Sequence, residues 1–275
     1  MNSYNVVLVQ PTGYAHAMGM REVALLLHFS LQSLGFQSKA TVNILDPQAV
    51  NILIGYQALF DPSMLTGRQY VIYQLEQLSD REGWFEPRLL DVLRGAAAIW
   101  DYSEENLQFL RDKGLTHSHL LPIGFHPQLR TIPQAAKDID VLFYGSLNER
   151  RKTILAQLHS RCRVTELFGV YGAQRDAHIA RSKIILNIHF YAAQIMEQVR
   201  LGYLLNNGCC VISENTPSNP FDGMLATAPY EQIVETCVKY LEDEPLRQRT
   251  AAKGLELFSQ RLMTEYLRPL VIPAT

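Results

Sequence analysis

Residues 138–152 read DIDVLFYGSLNERRK and contain a complete transition from a strand to a helix. Val141 to Tyr144 form a continuous apolar run, which is typical of a strand buried on both faces of a parallel sheet. Gly145 permits a tight exit from that strand, and residues 150–159 follow a helical period. The segment therefore predicts a strand–loop–helix unit, which is the repeating element of parallel α/β domains.

Similar units occur on both sides of this segment. Upstream strands are predicted at residues 5–10, 38–42, 50–54, 69–74, 97–102 and 119–122, with helices at 20–34, 86–93 and 104–113. Downstream strands are predicted at 163–168, 184–188, 209–213 and 225–228, with helices at 173–180, 196–206, 230–242, 245–258 and 264–270. Two successive series of this kind predict two α/β domains, each built on a parallel sheet.

Residues 124–137 separate the two series and contain Pro127, Pro133 and no strong period, as expected of an interdomain linker. We therefore predict an N-terminal Rossmann-like domain over residues 1–123 and a C-terminal one over residues 138–275. Two adjacent domains of this kind are expected to form a cleft between the carboxyl ends of their strands. Ligands of open α/β sheets bind at those ends. Functional residues are thus expected in the loops that follow the strands.

The chain has 275 residues, a formal net charge of −2 and 47% hydrophobic residues. Its length suits two domains of about 120–150 residues, and its charge provides no broad basic surface for a nucleic-acid backbone. The four cysteines lack the spacing of a zinc site or a disulfide framework. No signal peptide is visible, and no apolar run reaches the roughly 18 residues of a membrane-spanning helix. We expect a cytoplasmic protein without a nucleic-acid partner or a transmembrane segment; peripheral contact with a membrane stays open.

The first informative loop, QPTGYAHAMG at residues 10–19, follows the first predicted strand. Gly13 and Gly19 would let backbone N–H groups approach a phosphate or a sugar closely. The ordinary pKa of histidine lies close to working pH, so His16 is a candidate general base for an acceptor hydroxyl. The alternative is that both glycines only serve the turn and that His16 is a solvated loop residue.

The second loop, after Gly145, concentrates Asn148, Arg150, Arg151 and Lys152 at the start of a predicted helix. Cations are unfavourable there unless an anion is bound, because the helix dipole and the free N–H groups already make the N-terminus positive. The conflict favours a diphosphate site. The alternative is an exposed basic turn that Glu149 and solvent neutralise.

The third segment, NIHFYAAQIMEQVR at residues 187–200, leads into a helix. Glu197 and Arg200 are three residues apart and share one helix face. A carboxylate there can accept hydrogen bonds from sugar or ribose hydroxyls, and an arginine can bind phosphate oxygens with two parallel hydrogen bonds. The alternative is a surface ion pair that contributes little.

The order of these elements is similar to the donor domain of the group 1 glycosyltransferases, which have the GT-B fold. The similar motifs are LPIG at 121–124, the basic loop after Gly145, FGVYG at 168–172, NIH-x(7)-E-x-x-R at 187–200 and NGCCVISE at 207–214. The resemblance covers most of the chain in layout, and its specific residues lie between Leu121 and Glu214. It implies an acceptor-side domain followed by a domain that binds a nucleotide-sugar donor.

The resemblance also implies roles for individual residues. Arg151 and Lys152 resemble the residues that hold the donor diphosphate, and Gly145 resembles the glycine of their turn. Phe168 and Tyr171 lie in the stretch that resembles the loop around the nucleobase.

The helix at Glu197 resembles the one whose acidic residue and N-terminus meet the sugar, the ribose and the phosphates. Many group 1 enzymes carry E-x(7)-E, whereas this spacing gives His189 and Glu197. When the motif is instead aligned by counting back from Gly208, Tyr203 lies where the second glutamate of E-x(7)-E would fall. We therefore expect donor contacts from His189, Glu197, Arg200 and Tyr203.

Three residues are candidates for a catalytic role. The sequence around His16 is similar to the first-strand loop of inverting GT-B enzymes that place a histidine base there. Glu76, in YQLEQL at residues 73–78, is an alternative base, and a role beside the core is equally open. Glu197 is the third candidate. Because no Asp, Glu or His residues have metal-ligand spacing and such enzymes generally need no essential metal, we expect neither a metal nor a cofactor.

The expected activity is that of a hexosyltransferase-type glycosyltransferase. It would transfer a sugar from a nucleotide diphosphate sugar to a hydroxyl acceptor, such as a glycan or a lipid-linked compound, in the synthesis of surface polysaccharide, glycolipid or glycoconjugate. Two alternatives stay open: a non-catalytic subunit that binds sugar nucleotides or serves as a scaffold, and a GT-B-like sugar-nucleotide epimerase.

Overall fold

The apolar runs along the chain form two parallel sheets, one in each of two units. The computed structural model describes residues 3–59, 61–80, 85–191 and 194–271. The first unit consists of Met1–His126 together with Leu262–Thr275, and the second unit consists of Pro127–Arg261. The predicted fold class, two parallel-sheet α/β domains, is confirmed.

The sheet of the first unit has the order β2-β1-β3-β4-β5-β6, and all its described pairings are parallel. Its strands are β1 (Ser3–Leu8), β2 (Gln37–Val42), β3 (Val50–Ile54), β4 (Tyr70–Gln74), β5 (Ala98–Asp101) and β6 (Ser118–Leu120). The connecting helices are α1 (Arg21–Ser33), α2 (Pro87–Arg94) and α3 (Glu104–Asp112). Every residue of β3 and β4 is buried, which is why these strands read as mainly apolar runs, with Asn51 and Gln74 as their polar members, and not as alternating ones.

The sheet of the second unit has the order β11-β10-β9-β7-β8 and is likewise parallel throughout its described pairings. Its strands are β7 (Ile139–Tyr144), β8 (Val164–Leu167), β9 (Ser182–Asn187), β10 (Val211–Glu214) and β11 (Ala226–Ala228). Its helices are α4 (Glu149–His159), α5 (Gly172–Arg181), α6 (Gln198–Asn206), α7 (Ile233–Glu242) and α8 (Glu244–Ser259). The carboxyl ends of β7, β9 and β10 therefore lie side by side at one edge of the sheet.

The C-terminal boundary predicted at residues 138–275 is wrong, because the chain from Leu262 onward belongs to the first unit. Helix α9 (Met263–Leu267) packs on α1, and the backbone N–H of Met263 donates to the carbonyl oxygen of Phe125 at 2.9 Å. Met263 and Leu267 are fully buried there. Burial of these apolar side chains against α1 fixes the segment to the first unit.

The predicted linker at residues 124–137 is also divided between the units. His126 is buried in the first unit, where its Nε2 lies 3.1 Å from the Ser33 hydroxyl and its ring stacks on Phe29. In the second unit, the backbone N–H groups of Thr131 and Ile132 donate to the Asn207 side chain. The start of the predicted linker is therefore held by side chains of the first unit, and its middle by a side chain of the second unit.

The N-terminal loop of the first unit contains a short helix. The loop predicted at residues 10–19 contains most of a 3-10 helix, Ala15–Met20. Among the described residues, no helix is long and apolar enough to cross a bilayer.

Gly254 provides a test of how α8 packs beside α6. A Cβ at this position would lie 2.2 Å from the carbonyl oxygen of Met224 and 3.1 Å from Leu205 Cδ2. Gly254→Ala should gain about 1 kcal/mol in helix propensity, but it must push α8 away from the backbone at Met224. We expect a net loss of about 1–3 kcal/mol in unfolding free energy, measured by urea denaturation.

The matched control is Ala252→Gly, at an exposed position of α8. There the propensity effect acts without a packing effect, so a loss of about 1 kcal/mol is expected. A Gly254→Ala variant that is more stable than the unmodified chain would show that the close contact does not exist.

Candidate functional site

Polar and charged side chains converge at the carboxyl edge of the second sheet. They come from the ends of β7, β9 and β10 and from the starts of α4 and α6. We call this group the carboxyl-edge cluster; its members are Gly145, Arg150, Arg151, Asn187, His189, Glu197, Arg200, Ser213 and Glu214. The arrangement agrees with the general location of ligand sites in open α/β sheets.

Arg151 lies inside the protein, with a side chain only 4% exposed. Its Nε donates to the carbonyl oxygen of Ile188 at 2.9 Å and its Nη1 to that of Ser146 at 2.8 Å. The guanidinium also lies 5.3 Å from the ring centroid of Phe143 and 5.1 Å from that of Phe190. Burial, followed by the positive charge of Arg200, lowers the pKa of Arg151 to about 10. The group is therefore still charged at neutral pH.

The guanidinium of Arg200 is held beside that of Arg151. Its Nη1 donates to Asn187 Oδ1 at 3.0 Å, and its central carbon lies 4.8 Å from the ring centroid of Tyr144. A Cβ on Gly145 would come within 2.8 Å of Arg200 Nη2 and 3.6 Å of Arg151 Nη1. The φ angle of Gly145 is +135°, a conformation that also favours glycine. Gly145 is thus required both by its backbone and by the two guanidinium groups that lie against it.

Glu197 immediately precedes α6 and has both carboxylate oxygens engaged. Oε2 accepts from Asn187 Nδ2 at 2.9 Å, and Oε1 lies 3.2 Å from His189 Nδ1 and 4.0 Å from Arg151 Nη2. Burial alone raises the pKa of Glu197, but the hydrogen bond and charge of His189, the amide of Asn187 and the charge of Arg200 lower it to about 2. Glu197 is therefore a carboxylate at neutral pH.

His189 lies fully buried beneath this carboxylate. Its Nδ1 faces Glu197, its Nε2 lies 3.1 Å from the carbonyl oxygen of Asn215, and its backbone N–H donates to Glu214 at 3.0 Å. Burial alone lowers the pKa of His189, but the hydrogen bond and charge of Glu197 outweigh it, so the pKa is raised.

Arg150 and Glu214 form a second charged pair within the cluster. Arg150 Nη1 donates to Glu214 Oε2 at 3.0 Å, and Nη2 donates to Oε1, so the pair is bidentate. The guanidinium stacks over the ring of Tyr230, 4.2 Å from its centroid. In the cluster as a whole, three guanidinium groups face two carboxylates, which leaves a net positive charge before His189 is counted.

The predicted donor contacts on α4 differ from one another in position. Asn148 caps the helix, because its Oδ1 accepts from the backbone N–H of Arg151 at 3.0 Å and its Nδ2 donates to the carbonyl oxygen of Phe190 at 3.1 Å. Lys152 is 56% exposed and pairs with Glu149 at 2.8 Å. Asn148 and Arg151 are thus joined to the cluster, and Lys152 lies on the solvent side of α4.

The other predicted donor contacts lie outside the cluster. Tyr203 is buried, and its hydroxyl is 2.8 Å from Asp176 Oδ2 and 3.0 Å from the Thr131 hydroxyl. It connects α6 to α5 and to the segment at residue 131. Phe168, with 61% of its surface exposed, follows β8 at the same edge of the sheet, and Tyr171 precedes α5.

The first unit contains the remaining predicted residues of the N-terminal loop. His16 is exposed on the 3-10 helix, where its ring meets the edge of Tyr14 at 5.4 Å between centroids. Gly13 has a φ angle of +78° and open space around it, which fits the turn interpretation, and Gly19 lies within the 3-10 helix.

Glu76 is held by hydrogen bonds to its backbone and to its carboxyl group. Its backbone N–H donates to Gln74 Oε1 at 3.0 Å, its carbonyl oxygen accepts from Asn106 Nδ2 at 2.8 Å, and its Oε1 accepts from Gln57 Nε2 at 3.3 Å. Burial raises the pKa of Glu76. These contacts hold Glu76 just after the carboxyl end of β4. Because groups that transfer protons near neutral pH also need a raised carboxyl pKa, Glu76 stays a candidate base.

Sequence reasoning overlooked Asn187 and Glu214 as individual site residues. Both are fully or almost fully buried polar side chains that end strands β9 and β10. A polar residue at the carboxyl end of an otherwise apolar strand is the signal that could have identified them. Among the residues that the structure describes, no group of His, Cys, Asp and Glu has the arrangement of a metal site.

The low pKa of Glu197 predicts a pH dependence of stability. The folded pKa of about 2 lies below the ordinary value of 4.5, so this contribution is present above pH 4.5 and is lost as the pH falls toward 2. Between about pH 5.5 and pH 3, the unfolding free energy of the unmodified chain should fall more than that of Glu197→Gln, by about 2 kcal/mol. Urea unfolding at a series of pH values measures this difference.

Glu149→Gln is the matched control, because this carboxylate is 90% exposed. Its pH profile should follow that of the unmodified chain. Parallel profiles for Glu197→Gln and the unmodified chain would contradict the described hydrogen bonding of the Glu197 carboxylate.

Comparison with known sequences gives limited matches. No family model matches the sequence. Two uncharacterized proteins of Acanthamoeba polyphaga mimivirus are each 26% identical, over 189 and 199 residues. The matches cover 63% and 67% of this chain, and they span 59% and 26% of those relatives' own lengths.

Comparison with solved structures identifies the fold. The Anabaena protein HepE, in a crystal structure with UDP and glucose, superposes with a TM-score of 0.61 at 12% identity over 98% of both chains. A DNA-modifying β-glucosyltransferase, solved in the presence and absence of uridine diphosphoglucose, gives 0.59 at 8% identity over 98% of both chains. A glycosyltransferase of avilamycin A biosynthesis gives 0.55 at 13%, also over 98% of both chains. The chain has the GT-B fold.

Proposed function

We propose that this chain is a glycosyltransferase that binds the diphosphate of a nucleotide-sugar donor at the carboxyl-edge cluster. The observation that carries the proposal is the pair of guanidinium groups, Arg151 and Arg200, held side by side against Gly145. The charge of Arg200 lowers the pKa of Arg151, so the two like charges repel each other, and in a partly buried site the repulsion is weakly screened. A bound diphosphate removes that cost: it accepts hydrogen bonds from Arg200, and the buried charge of Arg151 strengthens the attraction.

The surrounding elements favour an anion in the same place. Helices α4 and α6 both begin at the cluster, so their dipoles add positive potential there. Arg150 is already paired with Glu214, and Glu197 with His189, which leaves the Arg200 side chain and the buried charge of Arg151 as the principal attraction for the anion. This assignment retains Arg151 and Arg200 as predicted donor contacts and gives Lys152 an outer position.

Solved proteins of the same fold support the donor class. HepE has been crystallised with UDP-glucose, and the DNA-modifying β-glucosyltransferase with uridine diphosphoglucose. We therefore take UDP and UDP-glucose as the first probes. The proposed donor is a hexose linked to a nucleoside diphosphate, and the hexose is the group transferred.

The proposed chemistry is electrostatic. The acceptor oxygen bonds to the sugar carbon and gives its proton to the general base, while the bond from the sugar to the diphosphate breaks. Negative charge grows on the leaving diphosphate, and guanidinium groups already in position stabilise it. In this proposal the protein supplies the positive charge and the reaction needs no metal. Glu197, with both oxygens engaged, acts as a counter-charge and as a sugar or ribose contact, and it is not a free base.

The acceptor, the cellular location and the nucleobase contacts belong to the same proposal. The acceptor is a hydroxyl compound such as a glycan or a lipid-linked sugar, and the protein acts in the cytoplasm with optional contact to a membrane surface. The resemblance to the group 1 glycosyltransferases supports a role in the synthesis of surface polysaccharide, glycolipid or glycoconjugate. Phe168 and Tyr171 are proposed contacts of the nucleobase.

Nucleotide binding tests the donor site. Isothermal titration with UDP and with GDP should give binding, and Arg200→Ala should weaken it by about 100-fold, because a charge-assisted bidentate contact contributes roughly 1.5–3 kcal/mol. Arg151→Lys should also weaken binding, since Lys cannot reproduce the fork that contacts two carbonyl oxygens. Lys152→Ala should have a smaller effect.

Arg163→Ala is the control, because Arg163 is a surface arginine of the same unit that contacts the carbonyl oxygen of Asp138. Equal affinity in the unmodified chain and Arg200→Ala would reject the diphosphate site. UDP release from UDP-glucose only with an acceptor supports transfer. Interconversion of UDP-sugars without an acceptor would instead support an epimerase, and tight binding without turnover a non-catalytic subunit.

The catalytic base is tested with a second pair of variants. Glu76→Gln should lower the rate of acceptor-dependent UDP release by about 100-fold without changing UDP affinity, because general base catalysis contributes about 10²–10⁴-fold. His16→Ala should have a smaller effect, since His16 is exposed on its 3-10 helix. The reverse order of effects would assign the base to His16.

A further inference from the structure

The imidazole of His189 is enclosed by two hydrogen-bond acceptors. Its Nδ1 lies 3.2 Å from the carboxylate of Glu197, and its Nε2 lies 3.1 Å from the carbonyl oxygen of Asn215. A neutral imidazole carries a proton on one nitrogen only. One of the two contacts would then bring two lone pairs together in a fully buried position. Both contacts are favourable only when both ring nitrogens carry protons.

We propose that His189 is held as an imidazolium and is a positioning residue for the donor site, because it fixes Glu197 and, through Asn187, Arg200. This inference rests on the proposed function, since its consequence is measured as donor affinity. His189 itself does not touch the donor in this assignment. It acts through the side chains above it.

An unbroken chain of hydrogen bonds runs from His189 through Glu197 and Asn187 to Arg200. Glu197 accepts from Asn187 Nδ2 at 2.9 Å, and Asn187 Oδ1 accepts from Arg200 Nη1 at 3.0 Å. Asn187 Nδ2 also donates to the Ser213 hydroxyl at 3.0 Å. The orientation of this buried amide is therefore set by a carboxylate on one side and a guanidinium on the other. Any change in the Glu197 carboxylate alters the group that orients Arg200.

The charges around the ring favour its protonated form. Glu197 contacts the ring directly, and Glu214 accepts from the backbone N–H of His189. On the opposing side, Arg150 Nη1 lies 3.4 Å from the carbonyl oxygen of His189, and Arg151 lies 4.0 Å from Glu197. Arg150 is neutralised by its bidentate contact with Glu214, so the carboxylate in contact with the ring is the dominant neighbour.

The charge state has a direct consequence for the cluster. An imidazolium cancels the charge of Glu197, so that the charges of Arg151 and Arg200 stay available to an anion. A neutral ring would leave Glu197 as a buried carboxylate that draws Arg151 and Arg200 toward itself. The proposal therefore explains how a carboxylate can lie next to an anion site without occupying its cations.

The sign of the pH dependence follows from the raised pKa of His189. The protonated arrangement is fully present below the ordinary histidine pKa and is lost as the pH rises through the folded value. Donor affinity should accordingly decrease on the alkaline side. The midpoint of that decrease should coincide with the titration of the His189 ring.

The first experiment measures the ring directly on the unmodified chain. Nitrogen-15 NMR of the histidine side chains, with His189 identified by its absence in His189→Gln, reports whether each ring nitrogen carries a proton. Two protonated nitrogens at pH 7 are expected. A neutral His189 ring at pH 7 would overturn the proposal, whatever the protein binds.

The second experiment measures UDP affinity from about pH 6 to pH 9 by isothermal titration. We expect a decrease of at least tenfold across the titration of His189, and a weaker, pH-independent affinity in His189→Gln. His159→Gln is the matched control, because His159 is a half-exposed histidine of the same unit that pairs with Glu166 at 2.7 Å. It should keep the profile of the unmodified chain.

The outcomes distinguish the positioning role of His189 from the proposed donor site. A doubly protonated ring with UDP affinity that is unchanged through its titration would overturn the positioning role and leave the donor site in place. A doubly protonated ring with no UDP binding at any pH would overturn the positioning role together with the proposed function. Should His189→Gln fail to fold, Asn187→Ala interrupts the same connection, and it should reduce UDP affinity while the His189 ring stays protonated.

Discussion

The second unit depends on keeping two guanidinium groups together against one glycine. Arg151 is held by carbonyl oxygens of the connections that follow β7 and β9, and Arg200 is held by the amide of Asn187 at the end of β9. Like charges do not remain adjacent unless each is anchored independently. The parallel sheet provides these anchors, because it brings the carboxyl ends of neighbouring strands to one edge.

The acidic residues at that edge do not cancel the two charges. Glu214 is engaged by Arg150, and Glu197 by His189 and Asn187. Each carboxylate is thus assigned to a partner other than Arg200. In a buried site this pairing also avoids the cost of an uncompensated charge, which would otherwise destabilise the fold. The proposed donor site and the stability of the sheet edge are two consequences of the same pairing.

Sequence patterns predicted the fold well and the site in part. The strand at Val50–Ile54 was predicted with the bounds that the structure has, because a mainly β-branched and apolar run is a local signal. Arg151 was singled out by the conflict between its positive charge and its position at a helix start, and Glu197 by its spacing from Arg200 on one helix face; the structure has both in the carboxyl-edge cluster. Tyr203 shows the limit of such reasoning, since its hydroxyl partners, Asp176 and Thr131, come from distant parts of the sequence. Asn187 was overlooked for the same reason: its role lies in the three side chains it joins.

The return of α9 to α1 has a consequence for dissecting the molecule. In chain order, the second unit is an insertion between two parts of the first, because Leu262–Thr275 belongs with Met1–His126. A recombinant fragment that stops at residue 126 would lack the cover provided by Met263 and Leu267 and would expose apolar surface of α1. The first unit can be expressed separately only by joining its two parts with a short synthetic connection, whereas the second unit is a single uninterrupted stretch.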